Sequence, residues 1–294
     1  MTACTARVHH APVSGVRIAW WCVLWYHSGM ARIIPLWRSP EVSVHRFDHP
    51  VEHEDQPYEE VAGAFRASFV ESGTFDLHVS GGSWRVNPGD VMLSHPGMRF
   101  SASFQGKGFS DTCLSLTYLA ANDDGFDAAQ SWAKRAAPVR IASNRLRYLR
   151  WGLRRAVDEG APMLAEYCAT AVFADEASTS PAALFSEHKF AWYAERVHFV
   201  RERLDAEFAG EFSVSALARS VGMSMFHFSR VFTELVGMPP YQYLLRARLK
   251  AARAMLRDGR SVTDTCFACG FSNLSHFSRS FARRYGHTPS RVTA

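Results

Sequence analysis

One run of residues occurs twice in the C-terminal third of this chain, and that duplication constrains the fold more than any other feature. Ser213-Val214 leads through Gly222 into His227-Phe228-Ser229-Arg230-Val231-Phe232 and closes at Gly237 and Pro240. Ser261-Val262 leads through Gly270 into His276-Phe277-Ser278-Arg279-Ser280-Phe281 and closes at Gly286 and Pro289. The offset is 48 residues at the first serine and the turn glycine, and 49 from His-Phe-Ser-Arg onward, so the second copy holds one extra residue in its turn. A run repeated with nearly the same spacing is one supersecondary unit used twice.

Local chemistry makes each copy a helix-turn-helix. Ser213 caps a short helix whose apolar positions Val214, Leu217 and Val221 recur at helical spacing, and Gly222 can take the left-handed conformation that stops it. Ser224 caps the next helix, in which Phe228, Val231, Phe232 and Leu235 follow i, i+3, i+4, i+7 and turn inward. Phe226, Ser229, Arg230 and Thr233 share another face, which has no core to fill. In the second copy Phe277, Phe281 and Tyr285 make the apolar stripe, leaving Ser275, Ser278 and Arg279 outward. A polar strip carrying one arginine per helix suits the major groove, where a guanidinium can bond guanine O6 and N7 together.

The segment between the copies supplies spacing. Pro239-Pro240 fits a helix start, and no breaker follows before Asp258-Gly259, so a helix of about 17 residues, about 25 Å long, joins the units. Such a rod can set two recognition helices in successive major-groove segments, about 34 Å apart. Arg246, Arg248, Lys250, Arg253 and Arg257 spread around it, too dispersed to form one stripe, so only part of them should meet phosphate. From Glu195 onward 15 lysines and arginines face 8 acids, a net of +7 against +5 for the whole chain, so the basicity is local to this region. That is the footprint of a phosphate-binding module attached to a domain with another task.

These residues resemble the DNA-binding domain of AraC/XylS-type bacterial transcription regulators. The resemblance runs from about residue 194 to 292 and is densest in Phe267-Ala268-Cys269-Gly270-Phe271-Ser272-Asn273, His276-Phe277-Ser278-Arg279, Phe281, Gly286 and Pro289. It implies a bilobed all-helical domain that binds promoter DNA and usually activates transcription, with base-reading helices on Ser224 to Val236 and Asn273 to Tyr285. The DNA-binding set expected from it is Ser224, Met225, Phe226, Ser229, Arg230, Asn273, Ser275, His276, Ser278 and Arg279, with Arg283 and Arg284 on phosphate. Met225-Phe226 gives the first helix an apolar leading edge, suited to a thymine methyl.

Upstream the pattern changes to short alternating segments between about Glu41 and Leu119. Phe65, Ala67 and Phe69 alternate, as do Phe75, Leu77 and Val79, and Gly81-Gly82 reads as the hairpin turn before Trp84 and Val86. Asn87-Pro88-Gly89-Asp90 and His95-Pro96-Gly97 punctuate strands at Val91 to Ser94 and Phe100 to Phe104, and Cys113 to Leu119 reads as another. Closely spaced strands with Gly and Pro turns make a small sandwich or barrel, and these turns resemble the cupin-type sensor domain that precedes the DNA module in many AraC-type regulators. A cupin metal site needs clustered histidines and a carboxylate, but here Gly97-Met98-Arg99-Phe100 puts an arginine near the place of the last ligand. His49, His53, Glu54 and Asp55 do cluster, though Pro50 argues against the helix an H-x3-H pair would need. The expectation is therefore no metal, no cofactor and no catalytic residue, with the barrel sensing a small molecule. The rival reading is a metal-dependent cupin-type enzyme or DNA-repair sensor fused to a DNA-binding module.

Between the two regions, Ala142 to about Ala177 reads helical. Leu146, Leu149, Leu153 and Val157 recur at threes and fours, and Gly160-Ala161-Pro162 breaks the run before Leu164, Tyr167 and Val172. This face fits either a dimer contact or a cover for the barrel. Ser178 onward, with Ser-Thr-Ser-Pro, reads as linker. Cys266 and Cys269 form a C-x-x-C, but they fall where the first unit has Ala218 and Val221, so core packing is expected rather than zinc. Six cysteines without framework spacing point to a reducing compartment. The apolar run Ile18 to Tyr26 is too short for a membrane span, and Met30 makes a plausible alternative start.

The domain plan is thus an extension of uncertain status (1–35), a cupin-like barrel (36–125), a helical segment (130–177), a linker (178–192) and an all-α domain of two helix-turn-helix units on a long helix (193–294; units 213–236 and 261–285). The expected protein is a cytoplasmic transcription regulator, an activator by resemblance. Its partners would be double-stranded promoter DNA, RNA polymerase, a small-molecule effector and a second copy in a homodimer, with no membrane partner.

Overall fold

The computed structural model describes residues 32–48, 59–103, 111–119, 137–174 and 183–292. The Ile18 to Tyr26 run, the Met30 start and the His49, His53, Glu54, Asp55 cluster lie outside the described residues. Among the described residues ten strands come first: β1 (Arg32–Arg38), β2 (Val42–Asp48), β3 (Glu60–Val61), β4 (Arg66–Ser72), β5 (Phe75–Val79), β6 (Gly82–Val86), β7 (Asp90–Ser94), β8 (Arg99–Ser103), β9 (Thr112–Tyr118) and β10 (Val139–Ile141). They form a six-stranded sheet in the order β1-β2-β9-β4-β7-β10 and a four-stranded sheet in the order β3-β8-β5-β6. Neighbouring strands run antiparallel.

Period-2 alternation divides the six-stranded sheet into two faces. Val70, Met92 and Cys113 point toward the four-stranded sheet and pack with Phe75, Leu77, Val86 and Met98. Ala67, Phe69, Val91, Leu93, Leu114 and Leu116 point the other way, where two helices cover them. These are α1 (Asn144–Asp158) and α2 (Pro162–Phe173). Ser143 Oγ caps α1 by accepting from Leu146 N, and Gly160, with φ 66°, makes the break before Pro162. The helical segment therefore covers this face of the six-stranded sheet.

The C-terminal region is all helix: α3 (Glu187–Ala206), α4 (Val214–Ser220), α5 (Met225–Val236), α6 (Pro240–Arg257), α7 (Val262–Ala268) and α8 (Leu274–Tyr285), with a 3-10 turn at Pro289–Arg291. The two helix-turn-helix units and the joining helix stand where the sequence placed them. Four boundaries differ. The hairpin turns on Ser80-Gly81, whose φ angles are 46° and 80°, while Gly82 already pairs with Val79. A type I′ turn, which matches strand twist, has positive φ at both centres, and the pairing rather than the Gly-Gly dipeptide selects them. The stretch 130–177 is not wholly helical, because Val139–Ile141 adds an edge strand to β7, too short to show a period. The linker 178–192 ends by Ser186, since α3 starts at Glu187; its polar lead Glu187-His188-Lys189 reads as loop, but Phe190, Ala194 and Val197 are buried in the tertiary core. At the other end β1 begins at Arg32, four residues before the expected domain edge at 36, because Arg32 already pairs with Asp48.

One helix belongs to two cores. Leu146, Leu149 and Leu153 of α1 join the sheet core, whereas Tyr148, 1% exposed, joins the core of the first helix-turn-helix unit, with Trp151 packed against it. Beneath them lies the buried Arg201 of α3, donating to Tyr148 Oη and Tyr243 Oη at 3.3 Å each, with the Tyr167 ring 5.1 Å away. Tyr243 in turn donates its hydroxyl to Asp205 at 2.7 Å. A buried guanidinium needs such partners to offset its lost hydration. Burial pushes the Tyr148 phenol up to about 12, so it stays protonated.

Candidate nucleic-acid interface

Both recognition helices are built by the same local rules. In the first unit Ser213 Oγ accepts from Ala216 N at 3.1 Å, Gly222 turns the chain at φ 70°, and Ser224 Oγ accepts from His227 N at 3.4 Å. In the second, Ser261 Oγ accepts from Asp264 N at 3.1 Å, Gly270 turns at φ 76°, and Asn273 Oδ1 accepts from His276 N at 2.8 Å. Left-handed Gly237 and Gly286 end the two recognition helices. Ser224 and Asn273, expected among the DNA contacts, thus have their side chains engaged as helix caps.

Phe228, Val231, Phe232 and Leu235 of α5 are fully buried, as are Phe277 and Phe281 of α8, so each helix is held by apolar burial, about 1.5 to 3 kcal/mol per large side chain. The opposite faces stand in solvent. Phe226 is 80% exposed and Met225 41%. Arg230 and Arg279 are exposed one turn further on, Arg230 near His227 Nδ1 and Arg279 donating to the Ser275 carbonyl. Ser275 is exposed, and Ser229 and Ser278 are half-buried at the edges of the same strips. Leu274, 38% exposed, begins α8 and had not been singled out; the 49-residue offset from Met225 is the signal that finds it. Both recognition helices therefore lead with an exposed apolar side chain.

The histidines brace these helices. His227 Nε2 lies 3.0 Å from Tyr193 Oη, and His276 packs against Phe271 at 5.7 Å. Of the arginines on α6, Arg248 is taken by structure: it donates to the carbonyls of Phe208 and Gly210 at 2.8 Å each. Arg253 lies over Tyr285 at 4.9 Å, and Lys250 and Arg257 remain exposed. Arg283 and Arg284 are exposed on the last turns of α8 and line a groove against α6. Cys266 and Cys269 are completely buried, and burial pushes the Cys269 thiol up to about 11, so both sit as small apolar core residues. Among the described residues no group of three or more His, Cys, Asp or Glu could hold a metal ion, and no helix is long and apolar enough to cross a membrane.

Residues 217–294 match the helix-turn-helix domain family. The C-terminal region is an AraC-type helix-turn-helix domain. Among curated relatives, the HTH-type transcriptional activator RhaS of Escherichia coli (strain SE11) is 36% identical over 97 residues, which are 33% of this chain and 35% of that protein. The match to the curated relatives thus spans about a third of their length. Among solved structures, a probable AraC family transcriptional regulator from Rhodopseudomonas palustris CGA009 is 30% identical, covering 34% of this chain and 94% of its own at a TM-score of 0.32. Unsaturated fatty acid bound ToxT from Vibrio cholerae strain SCE256 is 11% identical, covering 87% of this chain and 96% of its own at a TM-score of 0.34. The two units share α6, whose first half packs with Tyr243 and Leu244 in one core and whose second half packs with Leu249, Ala252 and Leu256 in the other.

One group outside that domain was not foreseen. On the face of the six-stranded sheet turned toward the smaller sheet, the end away from Val70 and Cys113 is polar. Arg66 Nε donates to Thr117 Oγ1 at 3.2 Å, Ser68 and Ser115 share a hydrogen bond of 2.8 Å, and Ser115 pairs across the ladder with His45. Burial, then Arg66 and Arg38, hold the His45 pKa below its ordinary value. Alternation alone marks the apolar side of β4 and β9 in sequence; the polar residues between read as solvent-facing.

Proposed function

We propose that this chain is a sequence-specific, double-stranded-DNA-binding transcription regulator, acting on promoters in the cytoplasm and without catalytic activity of its own. The observation that carries the reading is the pair of equivalent strips, Phe226, Ser229 and Arg230 on α5 and Ser275, Ser278 and Arg279 on α8. Both belong to helices anchored on one rod. Each arginine would read a guanine edge, and Met225, Phe226 and Leu274 would meet thymine methyls. The RhaS relative bears the name of a transcriptional activator, which supports activation, through RNA polymerase, as the outcome of binding; a homodimer would double the contacts. The polar stretch at His45, Arg66, Ser68, Ser115 and Thr117 is where a small-molecule effector would find hydrogen-bond partners between the sheets, and α1 links that sheet to the first unit.

The test is a binding site selected in vitro from random duplexes with the purified full chain, followed by titration of Arg230→Ala and Arg279→Ala. Each substitution should cost about 1 to 3 kcal/mol on the selected site and relax base choice at one position. Equal losses on selected and random DNA would refute base reading. Stoichiometric metal in the purified protein would instead favour a metal-dependent enzyme fused to the DNA-binding module.

A further inference from the structure

The repeat extends to a part of the fold that DNA reading does not use. Helices α3 and α6 play the same role in their units. Leu204 and Leu256 are the last buried leucines of the two helices, and Val200 matches Ala252 and Val197 matches Leu249 one and two turns earlier. Arg196 matches Arg248, and each reaches the turn of its own unit: Arg196 Nε donates to the Val221 carbonyl at 3.2 Å, and the Arg248 guanidinium lies 5.9 Å from the Phe271 ring centre. In this register Gln242 stands where Phe190 does and Leu245 where Tyr193 does. In the register of the recognition helices, Arg283 stands where Glu234 does.

In the first unit this place is filled. Asn144, the first residue of α1, donates its amide to Glu234 and to the Ala183 carbonyl. Arg147 lies 4.2 Å over the Phe190 ring, and Phe185 meets Tyr193 edge-on at 4.8 Å. In the second unit the matching place is an open groove of about 700 Å³ between α6 and α8. Tyr241, Gln242, Leu245 and Arg246 of α6 form one wall, and Arg283 and Arg284 of α8 the other. Tyr241 is 58% exposed, and no acidic residue lines the groove among the described residues.

We infer that this groove is a docking site for an acidic, amphipathic helical segment of a partner protein. Its counterpart receives the start of a helix together with an aromatic side chain, which makes a helix the matching shape. The exchange of Glu234 for Arg283, with Arg246 and Arg284 beside it, inverts the charge the occupant must carry. Phosphate is the weaker candidate, because the equivalent surface of the first unit is covered by protein while its recognition strip stays free.

The test titrates the full-length protein, by fluorescence anisotropy, with a labelled peptide copied from residues 143–159 in which every arginine is exchanged for glutamate. The same peptide with its native charges is the control. The charge-inverted peptide should bind saturably and at least about tenfold tighter than the control. Gln242→Glu, a change at an exposed position, should weaken the inverted peptide about fivefold with an unaltered circular dichroism melt. No saturation by about 1 mM, a dissociation constant expected of only the weakest contacts, would overturn the inference. So would equal binding of the two peptides, or unchanged binding by Gln242→Glu. If that variant instead lost affinity for random-sequence duplex while keeping the peptide, the groove would belong to phosphate. Selected-site DNA binding measured on the same preparation separates failure of the groove from failure of the regulator reading.

Discussion

Gly222 and Gly270 occupy the same step of the two turns, with φ of 70° and 76°, yet they differ in what a side chain there would meet. A Cβ at Gly222 would find nothing within 4 Å, whereas one at Gly270 would run into the backbone carbonyl of Ala209. Gly222→Ala should therefore cost only the left-handed penalty, about 1 to 2 kcal/mol. Gly270→Ala adds a clash with backbone that cannot swing away, for a total of about 3 kcal/mol or more. Urea denaturation of the two variants checks this, and equal losses would mean that the Ala209 loop is free to move. Both glycines are visible in the sequence as helix stops; the carbonyl that distinguishes them is not, because it comes from a loop more than fifty residues away.

The seam between α1 and α3 carries an acid-sensitive element. His198, its side chain 4% exposed, meets Trp151 edge-on at 5.3 Å and has Glu202 3.3 Å away. Burial first, with Arg155 and Arg201 adding to it, holds its pKa below the ordinary 6.5 although Glu202 and Glu159 pull upward. The folded state thus favours neutral histidine. Its contribution is complete above about pH 6.5, the unfolded value, and is lost as the pH falls from there through the lower folded value. Acidification from about pH 7.5 to pH 5.5 should lower the melting temperature of the native protein more than that of His198→Asn; equal decreases would disprove the assignment. The elements themselves were largely readable: α5 and α8 follow the apolar spacing of Phe228 and Phe277 with capping residues at their starts, and α6 runs without a breaker from Pro240 to Asp258-Gly259. What escaped was set by tertiary partners. The polar start of α3 is a helix because Phe190 and Val197 have a core to enter, β10 exists because β7 offers an edge, and the strips at Met225 and Leu274 look alike only once the offset is applied.

At the scale of the molecule, α1 decides whether the two regions behave as one body. Its leucines belong to the sheet core and its Tyr148 to the core of the AraC-type domain, so unfolding of either should pull on the other. Calorimetry should show a single transition for the native chain. Tyr148→Ala, which empties a fully buried aromatic site at a cost of about 3 to 5 kcal/mol, should separate it into two; a second peak in the native protein, or none in the variant, would contradict the coupling. Within the C-terminal domain the bracing is tighter still. Arg248 grips the carbonyls of Phe208 and Gly210, and Gly270 is pressed on Ala209 between them, so the loop leading into the first unit is bolted to the second. The pitch between the two exposed strips is thereby a fixed quantity, like the gap between the jaws of a gauge. If the chain reads DNA as proposed, an operator whose half-sites are one base pair too far apart must bring its own strain to the complex, since this bracing leaves the protein little slack with which to meet it.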